Sequence, residues 1–159
     1  MRTAYRWLAY SIAILVAVQA AAMVFFISGL MVWVDNGGVL DKTVIESDNA
    51  PFSEESGLSL HWVNGTMVIP LVAIALVVVG FLTRDRRAIR WAWLTFLLVG
   101  LQIFLGLAGW GASIAGLLHG VNAIALVTVA LYTGARVTPQ APPGSPEQRS
   151  TEAPLAADA

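Results

Sequence analysis

The chain has 159 residues, of which 57% are apolar and only 12% carry a charge, and its formal net charge is −1. Soluble domains carry roughly 25% charged residues, so this composition, with a mean hydropathy of +0.73, excludes an ordinary soluble domain. No basic stripe runs along the chain, which excludes nucleic acid as a partner. Because cysteine is absent, disulfides, cysteine zinc sites and iron–sulfur clusters are excluded as well.

Four long apolar runs follow one another, at residues 7–34, 58–82, 89–110 and 113–135. Each is long enough for a helix to cross a hydrocarbon layer of about 30 Å, which takes about 20 residues. Only helices and closed barrels satisfy their backbone in lipid, and these runs are too long and too unalternating for barrel strands. The sequence therefore predicts an all-α fold, an integral membrane four-helix bundle at residues 1–136.

The first run resembles a cleavable signal peptide, because two arginines precede it and Ala20-Ala21-Ala22 lies within it. The run continues well past the length of a signal-peptide apolar region. We therefore interpret it as an uncleaved membrane helix.

Arginine and acidic residues are segregated between the joining segments. Arginine flanks the first run, fills the short second loop and follows the last run, at Arg2, Arg6, Arg84, Arg86, Arg87, Arg90 and Arg136. The first loop, residues 35–57, holds Lys42 against six acids: Asp35, Asp41, Glu46, Asp48, Glu54 and Glu55. The positive-inside rule then places both termini in the cytoplasm and the acidic loop outside. Residues 137–159, with five prolines, predict a disordered cytoplasmic tail.

An internal repeat connects the second run to the fourth. His61-Trp62-Val63-Asn64 matches His119-Gly120-Val121-Asn122 at a spacing of 58 residues. Ala-x-Arg-Trp precedes the first and third runs, ending at Trp7 and Trp91, at a spacing of 84, and Gln19 matches Gln102 after a slip of one residue. We predict two parallel-repeat helical hairpins related by an axis along the membrane normal.

The chain's two histidines, His61 and His119, occupy the same place in each repeat. If both point inward, they offer one axial ligand from each side to a haem iron near the outer face. Neighbouring helices lie about 8–10 Å apart and diagonal helices roughly 1.4 times further, a gap that suits imidazole, iron and imidazole. The alternatives are a hydrogen-bonded structural pair, quinone binding and proton transfer.

Small and amide residues surround the histidines along the predicted helices. Gly65 and Gly116 share a helical face with the histidines and leave room for a planar guest. Asn64 and Asn122 are candidates to hydrogen-bond a haem propionate. Gln19 and Gln102 lie nearer the middle of the membrane and are candidates for the lower wall of the same pocket. Close helix packing and interhelical hydrogen bonds are the structural alternative for all six.

The topology resembles one half of heme A synthase, a family with two such bundles, each with a histidine pair that can hold haem. The chain also resembles a family of small bacterial four-helix membrane proteins without an assigned activity, through residues 38–42 (Gly-Val-Leu-Asp-Lys) and His61-x-x-Asn64-Gly65-Thr66. These resemblances imply a multi-pass protein of the bacterial plasma membrane. Where heme A synthase has a catalytic Glu and an Arg near a propionate, this chain has Leu58 and Trp62.

The sequence thus predicts a haem b protein with bis-histidine ligation, acting in electron transfer or haem handling, with the lipid bilayer and a quinone or redox protein as partners. The competing interpretations are a haem-free accessory subunit of a membrane complex and an enzyme of the heme A synthase type.

Overall fold

The computed structural model describes residues 1–47 and 49–136. These residues form helices and turns, with no β-strand among them. The helices in chain order are α1 (Arg2–Asp35), the single turn α2 (Lys42–Ile45), α3 (Ser53–Leu82), α4 (Arg86–Gly109) and α5 (Ser113–Arg136). The tail predicted at residues 137–159 lies outside the described residues, as does Asp48.

Helices α1, α3, α4 and α5 are each long and apolar enough to cross a membrane. At most 28% of the apolar window of any of them is buried inside the bundle. Large apolar side chains instead cover the outside, as at Leu71, Phe104 and Ile124. Such a surface suits lipid rather than water, because an exposed apolar patch of this extent is rare on soluble proteins. The prediction of an all-α fold with four membrane-length helices is confirmed.

The helices extend beyond the apolar runs at several ends. Helix α1 begins at Arg2 and α3 at Ser53, each five residues before the predicted start. Hydropathy locates the apolar part of a helix, whereas polar residues continue the same backbone hydrogen bonding past it. Helix α4 begins at Arg86 because the Asp85 carboxylate accepts a hydrogen bond from the backbone N–H of Arg87 over 2.8 Å, which caps the first turn.

The loop after α1 is fastened to the bundle by aromatic packing. The Phe52 ring lies 5.7 Å from the Trp33 ring and 5.8 Å from the Phe26 ring, measured between centroids. Within the loop, the Asp41 carboxylate accepts from Val44 N over 2.9 Å and caps α2. Phe52, at the end of the loop, therefore packs back against the same end of α1 from which the loop departs.

The four long helices form a closed ring in which each packs on two others, in the cyclic order α1, α3, α4, α5. Helices α3 and α5 are consequently diagonal. One end of the ring, which we call the arginine end, carries the arginine-rich segment between α3 and α4. The start of α1 and the end of α5 lie at the same end. There the Tyr5 hydroxyl donates to the main-chain oxygen of Ala88 over 2.7 Å. The other end, called the acidic end, carries residues 36–47 and 49–52 and the turn between α4 and α5.

The packed core occupies the arginine-end half of the bundle. The largest fully buried side chains all lie there: Tyr5, Ile12, Leu76, Leu126, Thr95 and Thr133. Buried positions on α1 and α4 recur at a spacing of 83 residues, as in Tyr5 with Ala88, Ala9 with Ala92 and Val16 with Val99. The spacing of 84 expected from the Ala-x-Arg-Trp match is therefore not the one kept by the buried faces, because Trp7 points outward with 66% of its surface exposed.

Helix α3 contains a wide turn that α5 lacks. Residues Asn64–Val68 are π-helical, and the N–H of Ile69 donates to the carbonyl of Asn64, five residues back. Pro70 follows at once; it has no N–H and would collide with the carbonyl four residues earlier in a regular α-helix. The extra residue changes the spacing between equivalent positions of α3 and α5 from 58 around the histidines to 57 in the core, as in Ile69 with Leu126, Ala73 with Ala130, and Leu76 with Thr133.

Candidate functional site

A cavity of about 590 Å³ lies between the four helices in the acidic-end half. Its size is in the range of pockets that hold small-molecule cofactors. All four long helices contribute to a mostly apolar wall, and both histidines face into it. Its lining residues are Val16, Gln19, Ala20, Met23, Leu58, His61, Trp62, Gly65, Thr66, Ile69, Val99, Gln102, Ile103, Gly106, Leu107, Gly109, Trp110, Gly116, His119, Gly120, Ala123 and Leu126.

His61 is held by the neighbouring helix α1. Its ring nitrogen Nδ1 lies 3.1 Å from the main-chain oxygen of Gln19. The side-chain nitrogen of Asn64 donates to two acceptors on the same helix, the main-chain oxygen of Leu15 and Oε1 of Gln19, each at 3.0 Å. Gln19 of α1 thus accepts a hydrogen bond from His61 at its main-chain oxygen and one from Asn64 at its side-chain oxygen.

His119 is held by α4 in an equivalent way. Its Nδ1 lies 3.0 Å from the main-chain oxygen of Gln102. Asn122 donates to the main-chain oxygen of Leu98 at 3.0 Å and to Oε1 of Gln102 at 2.6 Å. Gln102 adds one bond, because its Nε2 donates to the main-chain oxygen of His119 over 3.0 Å. Within the described part of the chain, Gln19 Nε2 has no counterpart to that last bond.

These bonds select one tautomer of each neutral imidazole. A main-chain oxygen only accepts hydrogen bonds, so Nδ1 of each histidine carries the proton and donates it. In a neutral imidazole the other nitrogen, Nε2, then keeps its lone pair. A histidine held through Nδ1–H to a carbonyl is the arrangement that orients a metal ligand and raises its basicity.

The separation of the two ring centroids is close to the one that two imidazoles sharing a metal ion would have. The two centroids lie 6.1 Å apart, with an angle of 50° between the ring planes. A metal–nitrogen bond to histidine is about 2.0–2.1 Å and the nitrogen lies about 1.2 Å from the ring centroid, so two axial imidazoles place their centroids about 6.4 Å apart. Two axial imidazoles can coordinate one metal ion at any angle between their planes, so the angle of 50° is no obstacle.

Glycines provide the space around the rings. A side-chain carbon at Gly106 would lie 3.1 Å from Cε1 of His119, and one at Gly109 would lie 3.3 Å from the α-carbon of Gly116. At Gly65 it would overlap the amide of Gln19. Gly116 and Gly120 differ, because a side-chain carbon there would meet nothing within 4 Å. Those two glycines therefore leave open volume, whereas the other three allow close approach.

The structure brings together most of the residues singled out from the sequence. His61, His119, Gln19, Gln102, Gly65 and Gly116 all line the cavity. Asn64 and Asn122 are 4% and 7% exposed and lie behind its wall, where their amide nitrogens bond α1 and α4. Their geometry is that of residues that position the histidine-bearing helices.

Three lining residues were missed in the sequence. Trp62 and Trp110 were not predicted as site residues, because tryptophan near the end of a membrane helix commonly serves as an anchor at the membrane surface. Gly120 differs from Trp62 within the repeated His-x-Val-Asn motif, and that difference was a usable signal.

Two histidines are too few protein ligands for a metal ion that is bound by side chains alone. In residues 1–47 and 49–136, no three His, Cys, Asp or Glu side chains gather as a metal-binding group. A zinc ion takes three or four protein ligands. A porphyrin supplies four equatorial nitrogens and needs only axial ligands from the protein, and two imidazoles in an apolar cavity meet that need.

Comparison of the chain with protein-family models, with curated proteins and with solved structures gave no match.

Proposed function

We propose that this chain is an integral membrane b-type haem protein in which His61 and His119 supply the two axial ligands. The observation that supports this most directly is the 6.1 Å separation of two inward-facing imidazoles in one cavity. The second support is the pair of bonds from Nδ1 to main-chain oxygens, which leave both Nε2 atoms free to ligate. A purely structural histidine pair would need neither the cavity nor the free nitrogens.

The role that fits such a site is electron transfer or haem handling. Haem supplies a one-electron couple when bound, and two protein ligands leave no open position on the iron for a substrate. The protein's own contribution is to hold both imidazoles in place through Gln19 and Gln102, and to exclude water with an apolar wall. A lipid-soluble quinone or a redox protein is the partner class that we propose for electron exchange.

We further propose that the bundle consists of one hairpin used twice, α1 with α3 and α4 with α5. Equivalent hydrogen bonds from His61 and His119, and from Asn64 and Asn122, support the duplication. The arginine distribution supports an arginine end in the cytoplasm and a histidine pair near the outer face of a bacterial plasma membrane.

The proposed likeness to one half of heme A synthase is confined to the haem-binding frame. Leu58, at the place of that family's catalytic Glu, is an apolar part of the cavity wall. None of the cavity-lining residues is a carboxylate. Within the described residues, the cavity wall therefore offers no carboxylate in the place of that family's catalytic Glu.

The proposal is tested by the visible spectrum of the full chain, purified in detergent from haem-replete cells. We expect a Soret band and sharp reduced α and β bands, as for a low-spin iron with two nitrogen ligands. A colourless protein that also fails to bind added haemin would refute the proposal and leave the haem-free accessory subunit as the better interpretation.

The ligand assignment is tested by His61→Gly and His119→Gly, compared with Thr128→Ala on the exposed side of α5. Each glycine variant should lose the low-spin spectrum, and millimolar imidazole should restore it by filling the vacated space. The Thr128→Ala spectrum should equal that of the wild type. An unchanged low-spin spectrum in either glycine variant would show that the ligand lies elsewhere, and circular dichroism checks that both variants remain helical.

A further inference from the structure

Two lines along which the proposed hairpins face each other border the cavity. We call the line between α3 and α4 the α3–α4 seam, and the line between α1 and α5 the α1–α5 seam. Within each hairpin, the bonds from His61 and Asn64 to α1, and from His119 and Asn122 to α4, tie the helices together. The two seams are the remaining sides of the cavity.

The α3–α4 seam is filled by bulky side chains. Leu58 and Trp62 extend from α3, and Trp110 lies at the end of α4. The same three residues also line a second recess of about 290 Å³. Because they line both spaces, they form a partition between the cavity and that recess, with Trp62 and Trp110 themselves more than half exposed.

The α1–α5 seam carries small residues at the equivalent positions. The spacing of 58 that relates the two histidines pairs Leu58 with Gly116 and Trp62 with Gly120. Both glycines line the cavity, both are exposed, and a side-chain carbon on either would meet nothing within 4 Å. Ala20 of α1, also exposed, completes this wall.

The opening at this seam is confined to the acidic-end half and faces lipid. Towards the arginine end, the Tyr10 ring occupies the space that a side chain at Gly134 would need, which closes the seam there. Beside the opening, the exposed residues are apolar, with Leu117 61% and Ile124 71% exposed. A solute that reaches this gap comes from the hydrocarbon side, since no charged side chain lies along it.

We propose that the α1–α5 seam is the lateral opening through which the cavity receives its planar, amphipathic macrocycle from the bilayer. Haem as the ligand rests on the proposed function; the choice of side rests on the contrast between Gly116 and Gly120 on one seam and Leu58 and Trp62 on the other. Two identical hairpins would leave the two seams equally open. In this chain, Leu58, Trp62 and Trp110 occupy the α3–α4 seam.

The test is a graded series at one position, Gly120→Ala, Gly120→Leu and Gly120→Trp, in the full chain produced without haem and reconstituted in phosphatidylcholine vesicles. Haemin dissolved in a second population of vesicles is the probe, and the growth of the Soret band gives both a rate and an endpoint. We expect the endpoint to be kept in the alanine and leucine variants, and the rate to fall with side-chain size, by at least tenfold for tryptophan.

Two further variants make the result specific to the seam. Gly100→Trp places the same indole on α4 at an exposed glycine with nothing within 4 Å, and it should load at the wild-type rate. Gly120→Trp combined with Trp62→Ala should recover much of the lost rate, because it opens the partition on the other side.

Each outcome decides one question. A wild-type chain that acquires no Soret band refutes the proposed function. With a normal wild-type endpoint, equal rates across the Gly120 series refute the lateral opening alone. Loss of the endpoint in Gly120→Ala also refutes it, because Gly120 would then contact the bound macrocycle rather than border a passage.

Discussion

The side chain of Asn64 donates to Oε1 of Gln19 over 3.0 Å, on the helix whose carbonyl at the same residue also receives the proton of His61. The Asn64 amide thus binds the side chain of Gln19, and the His61 imidazole binds its main chain. Asn122 repeats this relationship on α4. Both asparagines are buried behind the cavity wall, so they set the position of the histidines without facing the space between them.

Replacing Asn64 or Asn122 with alanine should therefore weaken both the bundle and the site. An interhelical hydrogen bond inside a membrane contributes about 0.6–1.7 kcal/mol, and we expect a loss of unfolding free energy of that size in each variant. The asparagines act on the histidines only through Gln19 and Gln102, so we expect haemin titration to show a loss of affinity of up to about tenfold, the lower end of the loss for a direct partner of a metal ligand. Thr128→Ala, which removes only a bond within α5, should change neither quantity. Wild-type haem affinity in both asparagine variants would contradict the positioning role.

Gly106→Ala should separate haem binding from fold stability. The added carbon lies 3.1 Å from Cε1 and 3.2 Å from Nδ1 of His119, so the ring must move by a few tenths of an ångström and strain its bond to Gln102. Alanine is also favoured over glycine in a helix interior by about 1 kcal/mol. We expect a bundle at least as stable as the wild type, but altered low-spin electron paramagnetic resonance g values and about tenfold weaker haem binding.

Gly100→Ala is the matched control on the same helix, because nothing lies within 4 Å of its added carbon. It should gain the same helix stabilisation and leave the g values unchanged. If both variants altered the spectrum equally, the contact between Gly106 and the His119 ring would not be the cause.

Much of the fold was predictable because membrane helices are limited by length and hydropathy, two quantities that a sequence states directly. The pairing of His61 with His119 was also predictable, because polar residues are costly in lipid and their repetition is conspicuous. The register between α1 and α4, by contrast, was not predicted correctly from the sequence. The Ala-x-Arg-Trp match drew on Trp7, which faces outward, while Gln19 and Gln102 already had the spacing of 83 that the buried residues share.

The wide turn at Asn64–Val68 was equally hidden in the sequence. Pro70 is incompatible with a regular α-helix at this point, but the form of the resulting disturbance depends on a requirement of packing. Both His61 and, further along, Leu76 must face the bundle interior. One extra residue between them satisfies that requirement in α3, and its absence satisfies it in α5. Only the packed structure shows which helix carries the insertion.

Removing that extra residue should be tolerated once proline no longer requires the wide turn. Deleting the exposed Met67 together with Pro70→Ala converts the segment to regular α-helix and brings the spacing to α5 to 57 throughout. We expect haem binding and helix content to be retained. Deleting the exposed Ile124 of α5 is the control, because it rotates Leu126 and all later residues by about 100°. That control should lose stability in detergent; equal tolerance of both deletions would refute the register argument.

The proposed orientation is tested with cysteines, which the natural sequence lacks, so that any label reports the introduced site alone. Ser113→Cys lies in the first turn of α5 at the acidic end, and Thr3→Cys lies in the first turn of α1 at the arginine end. Both positions are exposed. In spheroplasts, a membrane-impermeant maleimide should label Ser113→Cys at once and Thr3→Cys only after permeabilisation, because the positive-inside rule predicts that the arginine end lies in the cytoplasm. The opposite pattern would invert the topology and move the histidine pair to the cytoplasmic side, while immediate labelling of both would show that the chain inserts in two orientations.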